Sequence, residues 1–194
     1  MRYLMILLCV GFGLLNPVVA KEYREVKASI VINAPIEKAY DAWTSTEGIT
    51  SFIASAGLVE KKPGGRYEVY FLPEAEAGTR GSDNGTTILA LDENRMVSFT
   101  WGMPPYMPDI RPHLTTVMVY FETLSEGNTK VTLYHVGFGS GQQWDKGYQY
   151  FIPSWPIVLA NFKRAMEVGP IDWDAYLKEY QETGTISWWQ AVQQ

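Results

Sequence analysis

Hydrophobic positions alternate with polar ones through most of the chain between residues 23 and 138. A repeat of two places successive side chains on opposite faces of an extended segment, so this pattern is typical of strands with one buried face. Gly, Pro, Asp and Asn separate the alternating segments, as expected for turns. The predicted strands cover residues 23–33, 57–62, 66–72, 86–91, 96–101, 114–123 and 129–138.

A helical repeat replaces the alternation directly after the first strand. Pro35 occupies a favourable position at a helix start, and a second short helix is predicted at residues 46–54. The first helix presents one apolar face, formed by Ile36, Ala39, Tyr40 and Trp43.

The second helical region, YFIPSWPIVLANFKRAMEVG at residues 150–169, is aromatic on one side. Ser154 is the predicted N-cap, and Pro156 lies in the first turn, where a missing N–H costs nothing. The helix is predicted to reach Val168 and to end at Gly169 and Pro170. Its apolar stripe needs a large apolar partner and consists of Trp155, Val158, Leu159, Phe162 and Met166.

The order of these elements predicts an α+β domain with a curved antiparallel sheet wrapped around the C-terminal helix. Short turns at 62–65, 92–94 and 125–128 alternate with long connections at 73–85, 102–113 and after Phe138. Alternate connections of an antiparallel meander lie at opposite ends of the sheet. The long loops therefore share one end, where we expect the entrance to any site.

Period two also predicts which side chains face the helix. A sheet with so many large aromatic side chains on its inner face either packs solid or encloses a cavity, and the alternation does not distinguish the two. The predicted inner positions are Tyr67, Val69, Phe71, Val97, Phe99, Trp101, Val117, Val119, Phe121, Val131, Leu133 and His135.

Residues 1–20 have the composition of a secretory signal peptide. Arg2 precedes an apolar run at residues 4–15, and small residues lead to a predicted cleavage after Ala20. The run is too short to span a bilayer, although retention as a membrane anchor is the alternative. We expect a periplasmic or secreted protein with no membrane span after cleavage, comprising a domain at 21–172 and an aromatic tail at 173–194.

Composition narrows the possible chemistry. The net charge is −5 and becomes more negative when Arg2 is removed, which argues against nucleic acid as a partner. Cys9, the single cysteine, lies in the signal segment, so the mature chain has no disulfide and no thiol nucleophile. His113 and His135 are predicted to lie too far apart to share an ion, and we expect neither a metal nor another cofactor.

Several features have both a functional and a simpler interpretation. His135 either orients a polar ligand group or is a hydrogen-bonded core histidine. Glu74, Asp109 and Asp145 either line an entrance or are solvated loop acids, and GFGSG at 137–141 lacks the spacing of a phosphate-binding loop. The sequence MPPYMP at 103–108 either covers the entrance as a lid or packs on the sheet.

Four segments resemble the homologues of the heat-shock-protein-90 ATPase activator: VINAPIEKAYDAWTSTEGITSFI, RMVSFTW, KVTLYHVGF and WDKGYQYFIPSWPIVLANFKRAMEVGPIDW. The resemblance extends from Val26 to Trp173 and implies the START-like (SRPBCC, Bet v-type) helix-grip fold. Members of that superfamily bind lipids, sterols or polyketides, catalyse reactions, or serve as co-chaperone modules. The chain departs from the family pattern at Pro153, where we expect a kink or break near Ile152.

The leading hypothesis is a protein that binds a hydrophobic or aromatic small molecule, or a lipid, between sheet and terminal helix. One alternative is a cyclase, dehydratase or hydrolase using His135 with a loop acid. Another is a protein-interaction or co-chaperone-like module that uses the tail aromatics, including Trp188 and Trp189. The candidate cavity residues are Trp43, Phe71, Phe99, Trp101, Val119, Leu133, His135, Tyr150, Trp155, Leu159 and Phe162.

Overall fold

The computed structural model describes residues 23–125 and 127–187, and this part of the chain forms an α+β domain with eight strands and four helices. In chain order the elements are β1 (Val26–Ile32), α1 (Ile36–Thr44), α2 (Thr46–Thr50), β2 (Ala56–Val59), β3 (Tyr67–Tyr70), β4 (Gly81–Ser82), β5 (Ile88–Asp92), β6 (Met96–Trp101), β7 (Thr115–Ser125), β8 (Asn128–Val136), α3 (Gln142–Glu167) and α4 (Trp173–Thr183).

The strands form a curved antiparallel sheet in the predicted meander order. β1 pairs with β8, and the order continues through β7 and β6 to β5. A second group, β2-β3-β4, joins β5 through a bridge between Arg66 and Thr87. His135 on β8 lies opposite Val117 on β7. The alternation of short turns and long loops therefore places the connections at 73–85 and 102–113 at one end of the sheet.

The inner face of the sheet is buried against α1 and α3. Eleven of the twelve predicted inner positions are buried, and the exception is Phe71, which is 49% exposed just beyond β3. Tyr67 stacks on Phe99 with ring centroids 3.8 Å apart. Trp43 contacts the rings of Phe52, Phe99 and Phe162 at centroid distances of 4.9–6.5 Å. The middle of the domain is thus a solid aromatic core.

The loop at 73–85 differs from the prediction because it contains β4. This two-residue strand pairs Ser82 with Val69 and Gly81 with Tyr70. A strand this short has no detectable alternation, so hydrophobic pattern alone does not predict it.

α3 is one unbroken helix, so the predicted start at Ser154 and the predicted break near Ile152 are both wrong. Pro153 and Pro156 lie on the exposed face of the helix. Each proline lacks the N–H that would bond to the carbonyl four residues earlier, and these carbonyls belong to Gln149 and Ile152. Both residues are exposed, so water can donate a hydrogen bond to each carbonyl oxygen instead. Helix α3 tolerates both prolines because the unmade bonds face solvent.

The described residues contain no helix that is both long enough and apolar enough to cross a bilayer.

Replacing Pro153 by Ala should raise the free energy of unfolding by about 1–3 kcal/mol. The change restores the N–H that a helix interior requires and removes the clash of the proline ring with the preceding turn. Chemical denaturation of both proteins measures the difference.

Pro63→Ala is the matched control, because Pro63 lies in a turn outside any helix. There the substitution should lower the free energy of unfolding slightly by loosening the unfolded chain. A loss of stability in Pro153→Ala would contradict the explanation given for α3.

Candidate functional site

A pocket of about 390 Å³ opens at the end of the sheet that carries the long loops. We call it the loop-end pocket. Its walls come from the end of β3, from β4, from the loop after β6 and from the first half of α3. The lining residues are Phe71, Leu72, Arg80, Gly81, Ser82, Trp101, Gly102, Pro104, Pro105, Tyr106, Tyr150, Phe151, Ser154, Trp155 and Val158.

Two tryptophans form the floor of this pocket. Trp101 ends β6 and Trp155 lies on α3, and each is at most 4% exposed. Their ring centroids are 5.1 Å apart, with the planes tilted by 57°. The floor is therefore a large, rigid apolar surface suited to contact with rings or chains.

Exposed apolar side chains surround the mouth. Phe71, Leu72 and Tyr106 are 49%, 63% and 67% exposed. Tyr106 meets Tyr150 edge to face, with ring centroids 6.2 Å apart. Burial raises the pKa of the Tyr150 hydroxyl, so this phenol at the rim is neutral. Such a cluster of exposed apolar side chains beside a cavity is typical of a binding surface.

A chain of hydrogen bonds holds the floor from behind. The Trp155 indole N–H donates to His135 Nδ1 at 2.9 Å, which leaves the imidazole hydrogen on Nε2. Nε2 then donates to Thr115 Oγ1 at 2.7 Å, and Thr115 Oγ1 donates to the Trp101 carbonyl at 3.0 Å. Burial lowers the pKa of His135 from 6.5 to about 3, so the ring is neutral. His135 positions both tryptophans and has no free nitrogen for a ligand.

A buried arginine joins the two long loops around the pocket. Arg111 Nε donates to the Gly78 carbonyl at 3.0 Å, and Nη2 donates to the Gly81 carbonyl at 2.9 Å. Nη1 donates to the Met103 carbonyl. Nη2 also contacts Asp83 Oδ1 at 3.2 Å, and the Asp83 side chain is fully buried. This ion pair connects the 73–85 loop to the 102–113 loop.

Asp83 is the anion of that network. Desolvation alone would raise the pKa of its carboxyl, but hydrogen bonds from Arg80 and from the amides of Gly78 and Gly81 outweigh it and hold the pKa below its ordinary value. The Arg80 Nε lies 2.9 Å from Asp83 Oδ2. The carboxylate is therefore charged and saturated with donors at neutral pH.

The 102–113 loop combines the two roles considered for it. Met103, Met107 and Ile110 are buried in the core, so the loop packs on the sheet. Pro104, Pro105 and Tyr106 line the pocket between these anchors. The loop is thus a fixed wall with one exposed aromatic residue at its tip.

The structure divides the predicted cavity residues into two groups. The loop-end pocket is lined by four of them: Phe71, Trp101, Tyr150 and Trp155. The other seven are buried in the packed core and do not line this pocket: Trp43, Phe99, Val119, Leu133, His135, Leu159 and Phe162.

Sequence reasoning did not identify Ser82, Asp83 or Arg111. For Asp83 and Arg111 the available signal was a charge within a long loop, which ordinarily indicates a solvated side chain. Of the loop acids that it did consider, Asp145 pairs with Arg24 at 2.5 Å and Asp109 accepts from Gln143 at 3.4 Å. Neither of these two acids lines the pocket, and Glu74 does not line it either. Across the described residues, no group of three or more His, Cys, Asp or Glu side chains could hold a metal ion.

The tail has one helix within the described residues, α4. Trp173 Nε1 donates to the Thr50 carbonyl at 2.7 Å, so this part of the tail returns to the domain. Trp188 and Trp189 lie outside the described residues, as does the predicted signal peptide.

Comparison with known proteins identifies similar chains. The family model described as Activator of Hsp90 ATPase homolog 1-like protein matches residues 33–167. No curated protein matches the chain.

Solved structures share the fold at low sequence identity. MLL2253 from Mesorhizobium loti is 18% identical with a TM-score of 0.59, and the match covers 76% of this chain and 100% of that one. CalU16 from Micromonospora echinospora is 16% identical with a TM-score of 0.57, covering 91% and 92%. SSP2350 from Staphylococcus saprophyticus is 20% identical with a TM-score of 0.55, covering 76% and 95%.

The neutral state of His135 should make the domain sensitive to acid. Below pH 6.5 the unfolded chain binds a proton that the folded ring, with its pKa of about 3, does not bind. The contribution of His135 to the free energy of unfolding is therefore fully present above pH 6.5. It falls by roughly 1 kcal/mol for each pH unit between pH 6.5 and pH 3. Urea denaturation between pH 7.5 and 4.5 measures this slope.

His135→Gln should make the slope of the free energy of unfolding against pH shallower, by the amount that one bound proton contributes. His113→Gln, at an exposed loop position, should leave the slope unchanged. An identical slope in the wild type and His135→Gln would show that His135 is protonated in the folded state.

Asp83→Asn should lower the free energy of unfolding by about 3 kcal/mol, because it leaves the buried Arg111 guanidinium without its carboxylate. The matched control is Asp92→Asn, which breaks an exposed pair with Arg95 and should change stability by less than about 0.5 kcal/mol. Equal effects in denaturation experiments would argue against a structural role for the buried pair.

Proposed function

The chain belongs to the family of Activator of Hsp90 ATPase homolog 1-like proteins, and we propose that it binds an apolar small molecule, aromatic or lipid-like, in the loop-end pocket. The observation that carries this proposal is the paired floor of Trp101 and Trp155 beneath an open mouth of exposed apolar side chains. An apolar ligand there removes its own surface and that of the rim from water.

Size and shape support a small ligand. The volume of about 390 Å³ lies in the range of clefts that hold small molecules, roughly 300–1,000 Å³. The solid core around Phe99 and Phe162 limits how deep the ligand lies. It therefore binds at the end of the sheet and above the two tryptophans, rather than along the whole of α3.

Few polar groups are free to recognise the ligand. Ser82 Oγ already accepts from the Gly102 amide at 2.9 Å, and Ser154 Oγ donates to the Tyr150 carbonyl at 2.6 Å. Arg80 also lines the pocket, with its Nε paired to a buried carboxylate. The hydroxyls of Tyr106 and Tyr150 at the mouth are neutral groups that suit an orienting hydrogen bond. This distribution favours a ligand that is mainly apolar where it occupies the loop-end pocket and that forms few hydrogen bonds there.

Binding accounts for the site better than acid–base catalysis does. Both ring nitrogens of His135 are hydrogen-bonded within the protein, and its low pKa keeps it neutral. A general base must reach the substrate proton directly or through one water. Asp83 is a buried acid next to the lining residue Ser82, but arginine and amide donors already occupy its carboxylate oxygens.

Export is part of the same proposal. The three-part pattern of residues 1–20 supports secretion with cleavage after Ala20, which gives a periplasmic or secreted binding protein. N-terminal mass analysis of the protein recovered outside the cytoplasm tests this step, and a chain that retains residues 1–20 there would contradict cleavage.

Tyr106→Ala should weaken binding of the apolar fluorophore N-phenyl-1-naphthylamine roughly tenfold, because it removes one aromatic wall at the mouth. Its stability should change little, since Tyr106 is 67% exposed. Fluorescence titration measures the affinity and thermal unfolding measures the stability.

Tyr120→Ala is the control, because Tyr120 is also an exposed tyrosine but lies on β7, away from the pocket. Equal affinities of the wild type and Tyr106→Ala would remove this pocket as the binding site. Native mass spectra of the exported protein, before and after unfolding, would identify any natural ligand by its mass.

A further inference from the structure

A second cavity of about 290 Å³ lies beside the loop-end pocket. It separates α3 from α4 and from the segment that follows α2. We call it the α4 cavity. The residues that belong to this cavity alone include Ile53, Ser55, Ile157, Trp173 and Leu177.

The two cavities share part of their walls. Phe71, Tyr150, Ser154 and Val158 line both. The last three recur every four residues, so they form one ridge along about two turns of α3. Ser154 and Val158 have small side chains, which makes this ridge low between the two spaces.

Helix α4 forms the outer wall of the second cavity without becoming part of the core. Asp172 caps its first turn by accepting from the Ala175 amide at 3.1 Å, and Trp173 is tied to the Thr50 carbonyl. None of the residues of α4 is fully buried, and Leu177 is 50% exposed although it is apolar. The helix is held in place by polar contacts while its apolar side faces the cavity.

The α4 cavity is the more polar of the two. Ser55 and the Tyr176 hydroxyl lie along it, together with Asn161, whose amide lies 3.5 Å from that hydroxyl. Burial raises the pKa of Tyr176, so its hydroxyl is a neutral hydrogen-bonding group. A compact aromatic ring fills only one of the two spaces, whereas a linear molecule with a polar end matches both.

We propose that the ligand is an elongated single-chain amphiphile that occupies both cavities. Its apolar end lies against Trp101 and Trp155, its chain crosses the ridge at Ser154 and Val158, and its polar end reaches the α4 cavity. This inference rests on the proposed function of the loop-end pocket and adds the ligand class and the role of α4. The first helix of the tail is then part of the binding site.

Two probes with the same fluorophore and the same carboxylate test the proposal: dansylglycine and 11-(dansylamino)undecanoic acid. They differ in the length of the alkyl chain. The long probe should bind at least tenfold more tightly to the wild-type protein, because its chain is buried along the ridge and α4.

Leu177→Gln should weaken binding of the long probe at least fivefold and leave the short probe unchanged, because Leu177 lines only the α4 cavity. Tyr180→Gln is the matched control on the same helix, since Tyr180 is similarly exposed and lines neither cavity. Circular dichroism verifies that both variants retain the fold.

The outcomes separate this inference from the proposed function. If the short probe binds and the long probe binds no better, the loop-end pocket stands and the elongated ligand is wrong. The elongated ligand is also wrong if Leu177→Gln binds the long probe as tightly as the wild type does. If neither probe binds while the protein is folded, the proposed function fails together with this inference.

Discussion

The hydrogen-bond chain from Trp155 through His135 and Thr115 to the Trp101 carbonyl is the interaction on which the site depends. It joins helix α3 to three adjacent strands, β8, β7 and β6. An unpaired imidazole or indole N–H at this depth would cost free energy, so the network fixes one arrangement of the helix on the sheet. The two tryptophans that it positions separate the solid core on one side from the pocket on the other.

A second network determines the shape of the pocket walls. Arg111 and Asp83 form a buried ion pair between loops that have little regular structure of their own. Because the guanidinium also satisfies carbonyls of the loop backbone, long loops that would otherwise be mobile become fixed walls. Buried charge is costly in a core, but here it orders a site that apolar packing alone leaves open.

The packed core and the proposed binding site occupy different parts of the fold. The aromatic side chains in the middle of the sheet pack against one another, whereas the loop-end pocket lies where strands end and loops begin. The family relationship establishes the helix-grip domain. The loop-end pocket and the α4 cavity lie side by side in it, and it is there that we propose the ligand binds. Fold alone does not determine what such a domain binds.

Alternation and turn residues are local signals, and from them the sequence predicted the antiparallel meander, the inner face of the sheet and the end that carries the long loops. An alternating pattern shows which face of a strand is buried but not how deeply each residue lies, so the burial of Phe99 and Phe162 and the place of Phe71 in a pocket follow from the folded structure. The continuity of α3 through Pro153 depended on which face meets water, and the role of Arg111 depended on a partner 28 residues away. The first depends on how the helix packs against the sheet and the second on a contact between distant segments, and no local pattern encodes either.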